Sequence, residues 1–303
     1  MNNYWIGILT QTGIYLLAVL GVCILTGFTG LFSFGHAGFM AIGGYVSAIA
    51  VKIWELPLPA GLLLGTAAAT LLGVVIGTPT LKLRGDYFLI ATLGIGEAIR
   101  MILENWEFVG GAKGMTDTGR GVTFPLVLVL DVLTVVLLVH FLRSKHGRCC
   151  VAIRENETAA LAMGINVARY KVLAMGISCA LAGLAGALLG HYMNYLQPTM
   201  FNSVKSNELL IMVIMGGFGS LTGSIISTLI LVPLPELLRV GSNIQEWRMV
   251  IYGMLVVLII LFKPTGLMGY REFSLSGSIR FIRGLPRRLR SLGGKSGKKE
   301  DAP

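Results

Sequence analysis

Residues 208–241 read ELLIMVIMGGFGSLTGSIISTLILVPLPELLRVG. Two apolar runs meet there at GGFGSLTG, residues 216–223. As continuous helix the stretch would measure about 50 Å, short of two full crossings of a hydrocarbon core about 30 Å thick. The glycines therefore read as the join between two crossings, one of them a shortened helix packed inside the protein. That reading makes the chain an all-α polytopic membrane protein with eight or nine transmembrane helices and a glycine-broken segment near its end.

The rest of the sequence agrees. Of 303 residues, 54% are hydrophobic and 13% charged, a charged share about half that of an ordinary soluble domain. A soluble globule cannot hide that much apolar side chain. A disordered chain would be far more polar. The apolar runs are long and uninterrupted, unlike the short alternating segments of a spanning barrel. A crossing helix needs about 20 apolar residues, and candidates fall at 6–26, 36–53, 60–80, 87–103, 125–142, 171–192 and 247–263. The first run follows no basic n-region and precedes no small-residue cleavage site, so it reads as a span, not a cleaved signal.

Charge sets the orientation. Segment 143–171 carries six basic residues against Glu155 and Glu157, and the tail 271–303 carries nine against three acidic ones. Together they account for the net charge of +10. By the positive-inside rule both face the cytoplasm. An even number of crossings must then separate them. Spans 171–192 and 247–263 supply two, so 208–241 supplies two more or none. The chain divides into a transmembrane domain, 1–270, holding the cytoplasmic segment 147–170, and a basic cytoplasmic tail, 271–303.

A second glycine-rich stretch, GFTGLFSFGHAGFMAIGG at 27–44, resembles the first in kind. Two glycine-interrupted apolar segments, one in each half, point to a transporter's substrate path, because irregular backbone at membrane depth persists only where protein buries it or water lines it. The candidates for that path are Phe32, Ser33, Phe34, Gly35, His36, Ala37 and Gly38, with Gly216, Gly217, Gly219, Ser220 and Thr222. The competing reading is that these glycines only let helices pack closely.

Glu97 and Arg100 lie three residues apart inside span 87–103. Unpaired at the bilayer centre, each would cost about 2.5–3.5 kcal/mol. Sharing one helix face, they can neutralise each other, either as a polar lining or as a structural tie to neighbouring helices. Asp131, nearer the end of its span, is expected to be wetted. The segment 147–170, GRCCVAIRENETAALAMGINVARY, reads as a short helix with Val151, Ala159, Ala160 and Met163 on an apolar face and Arg154, Glu155 and Glu157 exposed.

No catalytic constellation is present. His36, His140, His146 and His191 stand in separate segments, the four cysteines lack metal-ligand spacing and read as free thiols, and no phosphate-binding loop occurs. The chain reads as a transport subunit, not an enzyme. No cofactor, metal or nucleic acid is expected. The tail beyond 271 alternates apolar residues with arginines and suits anionic lipid headgroups; after Gly293 disorder is the better reading.

Six collinear blocks carry a resemblance: GLFSFGHAGFMAIGGYVSA (30–48), LRGDYFLIATLGIGEAIR (83–100), AIRENETAALAMGINVARYK (152–171), ALAGLAGAL (180–188), MGGFGSLTGS (215–224) and YGMLVVLIILFKPTGLMG (252–269). Together they resemble the LivM type permease, a membrane subunit of bacterial ABC importers for branched-chain amino acids. The resemblance implies a bacterial inner-membrane location and four kinds of neighbour: a second, related permease, two cytoplasmic ATP-binding subunits, an extracytoplasmic substrate-binding protein, and the lipid membrane. It makes 152–166 the ATPase-coupling element, through Arg154, Glu155, Glu157, Ala159, Ala160 and Gly164. That order is close to the EAA-plus-glycine loop of ABC permeases, with Thr158 as one extra residue. Cys149 and Cys150 depart from the small or apolar residues expected after GR. Permeases for urea or short amides resemble the same pattern. A facilitative channel is a further alternative, though a channel has no need of an ATPase-docking loop, and a membrane scaffold has no need of paired glycine breaks.

Overall fold

A computed structural model describes residues 2–83, 85–119, 121–239, and beyond these 253–254, 257, 261–263 and 266–267. Span 247–263 and the tail 271–303 thus lie largely or wholly outside the described residues. Helix α1, Asn2–Val22, continues as a π-helical turn, Cys23–Phe28. Then follow α2 (His36–Lys52), α3 (Leu58–Thr80) and α4 (Asp86–Asn105). Next come α5 (Phe124–Arg143), α6 (Lys145–Glu155), α7 (Glu157–Ala162) and α8 (Val167–Met193). The series ends with α9 (Ser203–Gly216), α10 (Leu221–Leu231) and α11 (Leu234–Arg239). A two-residue antiparallel pair, β1 (Met115–Thr116) with β2 (Tyr195–Leu196), joins two loops, with Met115 opposite Leu196.

Among the described residues four helices are long and apolar enough to cross a membrane: Tyr4–Phe28, Leu58–Thr80, Phe124–Arg143 and Val167–Met193. Lipid-type exposure follows position. The face of α5 holding Val129, Val132, Val136 and Leu137 is open, whereas α1 and α8 are largely buried. Helix α8 sits at the centre against α1, α2 and α3. Its glycines explain why. A Cβ on Gly183 would collide with Ala69 of α3, and one on Gly186 would collide with the Met40 carbonyl of α2. Small residues let the backbones approach, which is how apolar helices gain contact where lipid offers no hydrophobic drive.

Side-chain caps mark the helix starts in the second half. Ser144, Asn156, Asn166, Asn202 and Ser220 each accept a backbone N–H from the first turn of α6, α7, α8, α9 and α10. Each satisfies a donor that the helix itself cannot.

Asp131 differs from expectation. Its carboxyl lies over Gly13 of α1, where a Cβ would fall 2.6 Å from Oδ2, and its Oδ1 is buried without a hydrogen-bond partner. One oxygen is thus buried between two helices, because Gly13 leaves room for the carboxyl, while the residue as a whole stays half-buried.

Candidate functional site

Both glycine breaks are real but shorter than the sequence implied. The first is irregular only from Thr29 to Gly35, and α2 begins at His36. Gly38, Gly43 and Gly44 therefore belong to a regular helix and serve contact: a Cβ on Gly38 would press on Gly96 of α4, and one on Gly43 or Gly44 on α8. The second break is Gly217 to Ser220, between α9 and α10.

Hydroxyls satisfy the freed backbone. Thr26 Oγ1 donates to Leu31 O, Thr29 Oγ1 to Ile24 O, and Phe34 N donates to Thr92 Oγ1 of α4. Ser220 Oγ accepts from Gly223 N, and Leu267 N donates to Met215 O. Much of the irregular backbone is thus hydrogen-bonded within the protein, as membrane depth requires, while Gly30 and Phe32 stay exposed.

The two breaks meet. Phe32 and Phe218 touch edge to face, ring centroids 5.6 Å apart. Arg154 of α6 reaches both: its Nη1 donates to Gly27 O at 2.7 Å, its stem packs on Gly30, and its guanidinium lies against Gly219. Gly219 has φ +78, and a Cβ there would collide with Nη1. Thr26, Gly30, Phe32, Arg154, Glu155 and Phe218 line an open pocket of about 300 Å³. It lies where α1 ends, not at the middle of its span.

Arg154 was expected to be exposed, yet only 17% of its side chain is. The reason is helix phase. Asn156 has φ −160 and ends one helix while capping the next, so α6 and α7 turn independent faces inward. Val151 and Ala160 therefore share no single stripe. Ala160 is buried with Ile153 and Val167 in a small core, while Leu161 and Met163 stand out, Met163 being 82% exposed.

Helix α7 closes on a Schellman motif. Ile165 N donates to Ala160 O, Gly164 N to Leu161 O, and Ile165 packs on the cluster holding Ala160. Gly164 sits at φ +81, the left-handed conformation that favours glycine. Glu157 pairs with Lys171 of α8 at 2.8 Å, fastening α7 from its other end. Cys150 beside Thr29 is buried, and burial pushes its thiol up to about 11.

In α4, Arg100 Nε donates to Glu97 Oε2 and Nη1 to Glu104 Oε2, each at 2.7 Å. Glu97 Oε1 also accepts Ser203 N, at the first turn of α9. The charge pair is therefore a triad that also holds a neighbouring helix.

A family model described as branched-chain amino acid transport system / permease component matches residues 4–260. The chain belongs to this permease family. LivM, the high-affinity branched-chain amino acid transport permease protein of Salmonella typhimurium, is 32% identical over 298 residues, covering 87% of this chain and 69% of LivM. LivM of Escherichia coli K12 gives the same identity and coverage. LivH of Escherichia coli K12 is 27% identical over 286 residues, covering 85% of this chain and 92% of LivH. No solved structure matches. These relatives are named as permease proteins of transport systems, so the chain is a permease and not an enzyme.

In this permease the expected path residues separate into two groups. Phe32 packs on Phe218 and Gly219 on Arg154, while Gly217 and Ser220 bound the second break, Ser220 capping α10. Ser33, His36 and Ala37 are buried behind them. His36 Nε2 lies 2.6 Å from Ser178 Oγ, which donates to Gly21 O, so the imidazole ties α2 to α8 and α1. Ala37 N donates to Ser206 Oγ. Phe34 and Gly35 pack on α4 at Thr92, Gly216 packs on Gly223 of α10, and Thr222 Oγ1 contacts Ser220 Oγ. The permease residues not foreseen were Phe218, Thr26 and Thr92. Phe218 lay inside the quoted break, but an aromatic between glycines has no periodic signature. Among the described residues no cluster of three metal-ligating groups occurs.

Proposed function

We propose that the chain is the transmembrane permease of an ATP-binding-cassette importer that moves branched-chain amino acids (leucine, isoleucine and valine) across the bacterial inner membrane. Its neighbours in this reading are a second, related permease, two cytoplasmic ATP-binding subunits and an extracytoplasmic binding protein. The observation that carries the reading is the tie from α6 into both glycine breaks through Arg154, beneath an apolar knob at Leu161 and Met163. The knob enters a groove of the ATPase. The tie passes its displacement to the backbone joints that line the cytoplasmic end of the substrate path.

Nine crossings fit this reading: α1 to α5, α8, the shortened helices α9 and α10, and 247–263. The permease domain is 1–270, and 271–303 is a basic tail on the cytoplasmic leaflet. Both basic segments then face the cytoplasm, and the N-terminus lies outside.

The test is leucine uptake by the assembled complex in vesicles, with Met163→Glu as the probe. A charge on the knob has no fold to disrupt there, so membrane levels should hold while uptake and substrate-stimulated ATP hydrolysis both fall at least about tenfold. Unchanged uptake would remove the coupling role of the knob. Uptake of urea in place of leucine would favour the related amide permeases.

A further inference from the structure

Away from the breaks, α3 and α5 stand apart in front of α8 and leave an open groove of about 710 Å³ between them. We propose that this groove is a binding site for one acyl chain of a membrane phospholipid, whose glycerol end lies at the starts of the two helices. The ligand is not the transported solute, so the inference goes beyond the importer reading.

The lining decides the chemistry. Leu58, Leu62 and Thr66 of α3 face Leu126 and Leu130 of α5, with Leu184 of α8 behind them. Thr66 brings the one polar side chain of the lining, and its hydroxyl donates to Leu62 O at 2.7 Å. A bound water needs two to four polar partners, and a zwitterion needs more. An aliphatic chain needs none.

Depth and size decide the form. One crossing, α4, separates α3 from α5, so both helices start on the same side of the membrane. The lining runs from Leu58 to Thr66, about 12 Å along the helix, close to half of a hydrocarbon core about 30 Å thick. Beneath it the next turn of α3 lies on α8, where a Cβ on Gly183 would collide with Ala69. An acyl chain occupies one leaflet, whereas the spanning helix of a partner subunit occupies both. A helix about 10 Å across would also fill the groove within about 9 Å of its length, under two turns. The groove opens sideways at Leu63 and Val129, which continue into the exposed faces of α3 and α5, so a chain enters from the bilayer itself.

The mouth suits the polar end of a lipid. Pro57 and Thr123 precede α3 and α5 without a side-chain cap on the first turn, and neither first turn holds an acidic residue. The N–H groups left at such helix starts favour the ester and phosphate oxygens that every phospholipid carries. By the positive-inside rule this end faces the extracytoplasmic leaflet.

The experiment uses the full complex in vesicles of phosphatidylethanolamine and phosphatidylglycerol, doped with phosphatidylethanolamine carrying a diazirine on one acyl chain. Irradiation, proteolysis and mass spectrometry report the residues that the chain touches. Val132 and Val136, exposed on α5 below the groove, are the reference for ordinary boundary lipid. After extraction and washing in detergent, segments 58–66 and 126–130 should be marked on the order of tenfold more than the reference. A diazirine near the glycerol should favour Leu58 and Leu126, and one near the methyl end Thr66 and Leu130. Leu63→Trp, which fills the groove from its exposed rim, should remove the retained label while Val136 is still marked in unwashed vesicles. Leu184→Phe fills it from behind and repeats the comparison where the first variant assembles poorly. Equal marking of groove and reference after washing, or a retained label indifferent to both variants, would overturn the site. So would cross-linking of Leu63→Cys to a second permease with no lipid label in the groove, which would make it a subunit interface.

Discussion

Arg154 Nη1 donates to the carbonyl oxygen of Gly27 at 2.7 Å, although 127 residues separate the two. The same guanidinium touches Gly219, so one side chain holds the joints of both glycine breaks. Its Nε also donates to Glu155 Oε1 at 3.1 Å, which keeps the charge balanced at the edge of the cavity. Arginine suits the place because its planar fork meets several acceptors at fixed angles. Through Arg154 the α6 helix thus contacts the backbone at both breaks.

Arg154→Ala should remove a charge-assisted hydrogen bond and destabilise the complex by about 1.5–3 kcal/mol. A merely structural role would lower the amount of complex only. The transmission role also predicts that the remaining complex hydrolyses ATP without moving leucine. Arg154→Lys, which keeps the charge but not the fork, should lie between. The check is the ratio of uptake to hydrolysis per assembled complex.

Gly164→Ala should cost about 1–2 kcal/mol, the penalty for a side chain in the left-handed region. Nothing lies within 4 Å of the added Cβ, so crowding contributes nothing. Gly164→Asn should be milder, since asparagine tolerates that conformation. Thermal unfolding of the purified complex distinguishes the three side chains. Equal loss from both substitutions would point away from the backbone.

The Glu97–Arg100–Glu104 triad predicts an asymmetric mutant series. Arg100→Gln strands two carboxylates and should reduce membrane levels most. Glu97→Gln leaves Arg100 paired with Glu104 and should cost about 1 kcal/mol or less from the lost pair. Restoring balance with Glu97→Gln on top of Arg100→Gln should recover part of the loss. Purely additive levels in this cycle would refute the coupling.

The adjacent cysteines should label unequally. Cys149 is part-exposed and Cys150 buried. Burial pushes the Cys150 thiol from 9.0 to about 11, so little of it is thiolate at pH 8. A maleimide at pH 8 should mark Cys149 first, read by mass spectrometry after proteolysis. The native state keeps this proton longer than the unfolded chain, so the contribution of Cys150 falls between about pH 9 and pH 11. Cys150→Ala should flatten that part of the stability profile.

Composition and apolar run length are local properties, and they sufficed for the helical membrane class and for most helix limits among the described residues. The i,i+3 spacing of Glu97 and Arg100 announced their pairing, because three residues on a helix bring side chains together wherever the helix lies. Glu104, one turn further on, belonged to the same local pattern. The direction of Arg154 was not local. It depended on the phase reset at Asn156 and on where the chain ran 127 residues earlier. Phe32 against Phe218, Asp131 over Gly13 and Lys205 over Tyr15 are likewise contacts between helices far apart in sequence. A periodic pattern states which face of a helix is apolar. Only packing decides which other helix that face meets, because many small-residue surfaces fit one another and the choice among them is made by all the helices together.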